Sequence, residues 1–476
     1  MQHRRSYRSY ASAFLAVVAA IGCYTPAVAE DRRPNVVVLV ADDLRADSIG
    51  AYGSKQCRTP NLDQLAAEGL VFTRAVCPFP LCVPSRAEIL TGCSSLRIPA
   101  LATGKLDPAL VTWPGAMKSG GYKTCYVGKW HTGGRPPQHG YDETRGLYAG
   151  GGGHLWKEQT DHNGRPVTGY RGWVFQSQDG KTIEPEHGIG LTPDISRRFA
   201  DAAISLIREP AGKPFFLDVN FTAPHDPLFM PPGYEKKYDP RQIALPKNFA
   251  AEHPFDHGNL KGRDELLLPF PRTKTDVQDE LAVYYAVVEH LDEQIGRVIA
   301  SLKESGQWEN TILIFTADHG LAIGSHGLRG KQNMYEHTTC VPLIVCGPGI
   351  PAGKRLAAPI YLRDLYPTVC DLAGVPIPRS VEAKSQAAVI RGTAERVHDE
   401  VYTYFTKFQR AVRTDRWKLN HYPHLKRDQL FDLVADPDEL SDLSADPQHA
   451  AVLAELRQKL AGWRRSVSDP ALEQSP

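Results

Sequence analysis

Val36-Val37-Val38-Leu39-Val40, entered through Pro34-Asn35, is a run of β-branched and apolar side chains that ends on Asp42 and Asp43. A stretch apolar at every position, rather than at every second one, predicts a central parallel strand buried on both faces. Tyr122 to Val127, Phe215 to Phe221 and Thr311 to Thr316 share this form, and each stops just before ionisable residues: Lys129 and His131, His225, and Asp318 with His319. Helical signals lie between them. Thr59-Pro60-Asn61 to Gly69 carries a cap, a proline at the first helical position and a terminal glycine, and Asp276 to Ser305 is a long amphipathic stretch. Strands alternating with helices predict an α/β fold built on a large, mostly parallel, doubly wound sheet. Ligands bind such sheets beyond the carboxyl ends of the strands, so four ends that deliver polar groups predict a single site.

After about residue 375 the pattern changes. Val401 to Phe405, Arg410 to Arg413, Arg416 to His421 and Gln429 to Leu433 are short alternating pieces joined by turns, followed by a helical stretch from Ala450 to Ser466. They predict a small antiparallel sheet with a helix packed on it. At the other end, Arg4, Arg5 and Arg8 precede an apolar run from Ala11 to Ile21 and the small-x-small pattern Ala27-Val28-Ala29. That arrangement predicts a cleaved signal peptide over residues 1–29, with lipidation at Cys23 as the alternative. The apolar run is shorter than the roughly 20 residues that span a bilayer, and no later stretch qualifies as a transmembrane segment. The expected organisation is a signal peptide, an α/β domain over 30–375 and a small α+β subdomain over 376–476. The expected location is periplasmic or extracellular.

Composition narrows the function classes. With 55 Lys and Arg against 54 Asp and Glu in 476 residues, the net charge is +1, which argues against a nucleic acid as partner. No repeat or low-complexity tract is present, and no GxxxxGK[ST] phosphate loop, since Gly330-Lys331 is followed by Gln332. Eight cysteines follow the expected cleavage point. Their spacing shows no paired CxxC zinc pattern, and with Cys82 set aside for chemistry an odd number remains, leaving at least one unpaired.

Cys82-Val83-Pro84-Ser85-Arg86 opens a predicted helix. A residue there faces unpaired N–H groups and the positive end of the helix dipole, which suit an anionic ligand. Arg86 adds a donor fork that matches tetrahedral oxyanions. This Cys-x-Pro-Ser-Arg stretch, together with Gly121-Tyr122-Lys123-Thr124-Cys125-Tyr126-Val127-Gly128-Lys129-Trp130-His131, strongly resembles the two signatures of the type I sulfatases, of the alkaline-phosphatase superfamily. The resemblance continues, in order, through Asp42-Asp43, Ala223-Pro224-His225-Asp226-Pro227, Asp318-His319-Gly320, Gly330 to Glu336, and Leu430-Phe431-Asp432-Leu433 with Asp436-Pro437.

The resemblance implies an alkaline-phosphatase-like catalytic domain that hydrolyses organic sulfate monoesters, and a maturation enzyme that converts Cys82 to formylglycine. It implies that Asp42, Asp43, Asp318, His319 and residue 82 bind one divalent metal. Three carboxylates favour a hard ion such as calcium. His319 replaces the commoner asparagine, and imidazole suits a hard cation less well, so magnesium and transition metals stay open. One hydroxyl of the hydrated aldehyde would attack sulfur, and the other would then lose its proton to expel sulfate. Arg86, Lys129 and Lys331 would compensate charge on the ester, His131 would act as base at the hydrate, and His225 as acid for the leaving oxygen. Lys129, His225 and Lys331 thus also count as substrate contacts.

The substrate is read less directly. Gly150 to Gly153, then His154 and Trp156, form a candidate substrate loop with a ring able to stack on a sugar; Pro227 to Lys237 and Glu252 to Arg263 are further variable loops. A sulfated sugar is the expected substrate. The alternatives are a phosphomonoester or phosphonate hydrolase of the same superfamily and a sulfated-glycan-binding protein without catalysis. Asn220-Phe221-Thr222 is a formal glycosylation sequon, expected to be buried on a central strand, and Trp417 and Tyr422 are expected to serve packing.

Overall fold

The computed structural model describes residues 33–209 and 212–471; the expected signal peptide and Cys23 lie outside the described residues. Ten strands form the larger sheet: β1 (Asn35–Ala41), β2 (Leu70–Val76), β3 (Lys123–Lys129), β4 (Glu143–Gly150), β5 (Trp173–Gln176), β6 (Phe215–Asn220), β7 (Thr311–Ala317), β8 (Cys340–Cys346), β9 (Lys354–Leu356) and β10 (Ile360–Tyr361). Their order is β10-β2-β8-β7-β1-β6-β3-β4-β5, with β9 beside β2. The four strands expected from their unbroken apolar runs are the four neighbours β7-β1-β6-β3, all parallel. Every residue of β1 and of β7 is buried, as the lack of alternation requires. β8 runs antiparallel to both β2 and β7, so the sheet is mostly rather than wholly parallel.

The flanking strands carried weaker signals. β2 is interrupted by Thr73 and Arg74, half-buried at a register shift against β8, and β4 begins with Glu143 and Arg145. The long helix spans Lys274–Glu304, where the Thr273 hydroxyl accepts from the Asp276 N–H and satisfies one of the first-turn donors. It buries Leu281, Val288, Leu291, Ile295 and Val298, a helical spacing that turns one stripe inward.

The second sheet has the antiparallel order β11 (Val401–Phe405), β12 (Gln409–Arg413), β13 (Trp417–Tyr422) and β14 (Arg427–Asp432). The helix Ala450–Ser466 lays Leu453, Leu456 and Leu460 on Val412, Leu419 and Leu430. Each such leucine contributes about 1.5–3 kcal/mol by leaving water. Trp417 and Tyr422 serve packing as expected: the Trp417 ring lies against His449, and the buried Tyr422 hydroxyl donates to Gln429. The eight cysteines from Cys57 to Cys370 are all free. Among the described residues no helix is long and apolar enough to cross a membrane.

Candidate active site

The carboxyl ends of β7, β1, β6 and β3 lie side by side, so the residues just beyond them meet. Asp318 and His319 follow β7, Asp42 and Asp43 follow β1, His225 follows β6, and β3 ends on Lys129, two residues before His131. Asp42, Asp43, Lys129, Asp318, His319 and Lys331 are each at most 2% exposed. Asp43 adopts a left-handed backbone with φ 64°, a conformation that aspartate tolerates better than most residues. Gly128 is required by close approach: a Cβ there would stand 2.0 Å from the Asn220 carbonyl oxygen, and its φ is +97°. The β3–β4 register shifts between Val127 and Gly128, which re-aims the following Lys129.

Cys82 is the first residue of the helix Cys82–Thr91, which ends on Gly92 in the left-handed conformation that glycine adopts freely. Its Sγ lies 3.3 Å from Asp42 Oδ1, 3.3 Å from His319 Nε2 and 3.3 Å from Lys331 Nζ. Burial opposes ionisation of this thiol, but Lys129, Lys331 and His319 outweigh it and hold the group well below its ordinary range. Position 82 is therefore electrostatically prepared for negative charge. One turn on, the Ser85 hydroxyl donates to the Asp318 carbonyl at 2.7 Å, while Arg86 Nε donates to Asp318 Oδ2 at 3.0 Å and Nη1 to Asn220 Oδ1 at 2.5 Å.

The carboxylates divide the cations among them. Lys129 Nζ lies 2.5 Å from Asp42 Oδ2, and Lys331 Nζ 2.8 Å from Asp43 Oδ1. Burial raises the Asp42 carboxyl and Cys82 adds to this, yet Lys129, His225 and Arg86 bring it below its usual range. Asp318 is displaced the other way, by burial and by the charge of Asp42. Burial also lowers His131, to about 4, with Lys129 reinforcing it, so this imidazole is neutral near pH 7 and can accept a proton. Burial opposes a charged His225, but Asp43, Asp226 and Asp42 together outweigh it and move the ring up, which favours the proton-carrying form. Its Nδ1 donates to the Asp226 carbonyl at 2.6 Å, leaving Nε2 free to face the site, 3.8 Å from Asp43 Oδ2.

One ligand atom each from Asp42, Asp43, Cys82 and His319 lies within 4.8 Å of the other three. Two carboxylates, an imidazole and the side chain of residue 82, all buried, are a donor set that fits a divalent cation. Asp318 stands beside this group, its Oδ1 accepting from the backbone N–H of Asp43 at 3.2 Å and of His319 at 3.0 Å.

Sequence reasoning missed three contributors. Tyr170 reaches in to donate its hydroxyl to Asp42 Oδ2, 128 positions away along the chain and with no motif to announce it. Asn220, read only as part of a sequon, is buried as expected and its amide links Arg86 to Asp218. Arg263 grips Asp226 through two parallel hydrogen bonds of 2.7 and 2.8 Å, behind His225. The Asp of Ala223-Pro224-His225-Asp226-Pro227 was the available signal for this last pair. His154 is exposed, and the Trp156 ring packs over Gly190. The aromatic group in contact with His131 is Trp173, edge-on at 4.9 Å.

A four-strand row of ends converging on a buried thiol, three cations and an acidic cluster suits the binding of an anionic ester. The family model described as Sulfatase matches residues 34–375, and one described as N-sulphoglucosamine sulphohydrolase, C-terminal, matches residues 324–466. The chain belongs to the sulfatase family, of the alkaline-phosphatase superfamily, and is a sulfuric ester hydrolase. It is 27% identical to an N-acetylglucosamine-6-O-sulfatase of Bacteroides thetaiotaomicron, over 96% of this chain and 90% of that protein. A solved structure of a protein in complex with its substrate D-glucosamine-2-N,6-O-disulfate superposes with a TM-score of 0.74 at 25% identity, covering 92% of this chain and 99% of the other. The phosphonate monoester hydrolase of Agrobacterium radiobacter shares the fold, with a TM-score of 0.73 at 23% identity over 93% and 97% of the two chains.

Proposed function

We propose that this enzyme is an exported sulfatase that removes sulfate from a sulfated sugar, with Cys82 converted to formylglycine and one divalent cation held by Asp42, Asp43, Asp318 and His319. The observation that carries the reading is the meeting of Lys331, His319 and Asp42 on the single atom Cys82 Sγ, each at 3.3 Å. A sulfate ester is an anion that resists anionic attack, so a nucleophile set among fixed cations is what its hydrolysis needs. The hydrated aldehyde of formylglycine supplies a nucleophilic hydroxyl and a second hydroxyl through which sulfate is released. Asp42, Asp43, Asp318 and His319 would hold the cation, most simply calcium given the carboxylates, which when bound would supply positive charge beside residue 82.

The chain's own groups do the rest. His131, kept neutral by burial and Lys129, accepts the hydroxyl proton. Lys129, Lys331 and Arg86 hold the sulfuryl oxygens, and His225 gives its Nε2 proton to the leaving sugar oxygen. Trp173 lines the approach beside His131. His154 and Trp156 are assigned to outer substrate contacts. The relative that acts on N-acetylglucosamine and the fold neighbour bound to a glucosamine disulfate support the sugar assignment. The leader over 1–29 and a domain boundary near residue 375 complete the proposal.

The deciding experiment is sulfate release across defined mono- and disaccharide sulfates, with aryl sulfate, choline sulfate and aryl phosphate alongside. Sugar sulfates should turn over fastest. Turnover confined to the non-sugar sulfates removes the glycan assignment, and a preference for the phosphate removes the sulfatase reading in favour of a phosphoester hydrolase. Mass spectrometry of the peptide carrying residue 82, from cells with a maturation enzyme, should find formylglycine; an active protein with an intact thiol refutes the mechanism.

A further inference from the structure

We propose that Tyr170 is a positioning residue that determines which oxygen of Asp42 is presented to the cation and to residue 82. The inference rests on the reading of Asp42 as a metal ligand. Asp42 Oδ2 receives two donors, the Lys129 ammonium at 2.5 Å and the Tyr170 hydroxyl. Its other oxygen, Oδ1, faces Cys82 Sγ at 3.3 Å and Arg86 Nη2 at 3.5 Å. A carboxylate oxygen with two strong donors has its lone pairs engaged, so the pair of donors leaves Oδ1 alone for coordination. Lysine by itself cannot enforce this, because an ammonium on a flexible stem can pivot between the two oxygens. A phenol on an immobile ring can.

The ring is immobile for visible reasons. It stands edge-on to His225 at 4.8 Å and to Trp173 at 4.9 Å, and Lys129 Nζ lies 5.1 Å from its centre. Tyr170 itself holds φ +54°, a left-handed conformation unusual for so large a residue, which persists only where the surroundings impose it. Its neighbour Gly169 is pressed on the site: a Cβ there would stand 2.6 Å from Asp226 Oδ2, the carboxylate gripped by Arg263. One side chain thus touches Asp42, Lys129 and His225, and ties the spacing of the cation site to that of the proposed leaving-group acid. Groups that orient a ligand from behind set metal affinity by about 10–100-fold when removed.

Calcium and manganese titrations of the full-length wild-type protein, Tyr170→Phe and Asp42→Asn, read by calorimetry, test this together with steady-state kinetics on an aryl sulfate. Tyr170→Phe keeps the ring and removes only the hydroxyl. It should weaken cation binding about tenfold and lower kcat by a similar factor at saturating metal, with KM and the unfolding temperature unchanged. Gly169→Ala, which displaces the loop while keeping the hydroxyl, should weaken cation binding in the same direction. If Asp42→Asn abolishes cation binding while Tyr170→Phe binds like wild type, the inference fails and the site reading stands. If Asp42→Asn binds cations normally, the site reading itself fails. A Tyr170→Phe protein that loses thermal stability but no cation affinity also overturns the inference, since the hydroxyl would then be structural only.

Discussion

Arg86 and Arg410 are both buried beside a buried aspartate, yet they are finished differently. Arg410, in β12, has every guanidinium nitrogen bonded: Nε and Nη2 to Asp469 at 2.8 and 2.6 Å, and Nη1 to the carbonyls of Thr406 and Gln409 at 2.6 and 2.7 Å. Arg464 adds a second cation to the same carboxylate, at 2.8 Å. Arg86 spends Nε on Asp318 and Nη1 on Asn220, while its Nη2 makes no hydrogen bond although buried. A buried donor without a hydrogen bond costs about 1–3 kcal/mol, and this one keeps only a long ionic contact, 3.5 Å to Asp42 Oδ1. His131 Nδ1, on the same side of the site, is likewise without a partner. Arg410 is saturated and Arg86 is not; Arg464, beside Arg410, also keeps an unpaired Nη2, so the contrast is between these two side chains rather than their clusters.

Four measurements can break or sharpen that contrast. The largest effect belongs to Cys82→Ala, which should lower sulfate release by about 10⁴-fold or more while the unfolding temperature holds. Residual turnover near wild type would remove residue 82 from the reaction. Lys331→Ala and His225→Ala should each cost about 10²-fold in kcat with folding intact, since both act on charge that develops in the transition state. A near-normal rate in either would strike that residue from the proposed machinery.

The two arginines should then separate in opposite directions. Arg86→Lys should lower kcat/KM by about 10²-fold with a small change in unfolding temperature, because a lysine keeps the charge and loses the fork. Arg410→Ala should instead destabilise by about 3–5 kcal/mol, leaving Asp469 buried beside a single cation, with the kinetics of the surviving folded fraction unchanged. Equal losses of stability in both variants would erase the distinction drawn here.

The smallest effect is one of pH. Burial raises the Asp469 carboxyl, but its hydrogen bond and charge pairing with Arg410 prevail and depress it from 3.8 to about 2. A depressed carboxyl contributes stability that is present above its unfolded value and lost as pH falls through its folded one. The window is therefore about pH 4 down to pH 2, and the amount about 2 kcal/mol. Thermal melts of wild type should steepen across that window relative to Asp469→Asn. Parallel curves would show that the pair contributes nothing through its charge.

Reading the chain in order succeeded where a single segment carries its own physical signature. The runs ending at Val40, Phe221 and Thr316 could only be buried strands, because side chains apolar at every position need both faces covered. Lys129, His131, Asp318 and His319 were found because each follows such a run within two to four residues. Cys82 and Arg86 were found because they open one short helix. The C-terminal pieces kept the two-residue alternation of a sheet with one covered face, so a small antiparallel sheet under a helix was legible, and the structure shows Leu419, Leu430 and Leu453 meeting between them.

What the sequence by itself determined, then, is the strand and helix inventory of the centre, the ionisable residues at its ends and the family they resemble. Tertiary structure alone decided how those residues are wired. Tyr170 on Asp42, Arg263 behind His225 and Asn220 between Arg86 and Asp218 are contacts across 128, 37 and 134 residues of chain. It also decided that Trp173, the first residue of β5, rather than Trp156, in the β4–β5 connection, meets His131. The physical reason is common to all of these. Burial and strand period act on neighbours along the chain and leave a pattern there, whereas a hydrogen bond between distant residues is selected only by the final packing that brings a donor and an acceptor within about 3 Å.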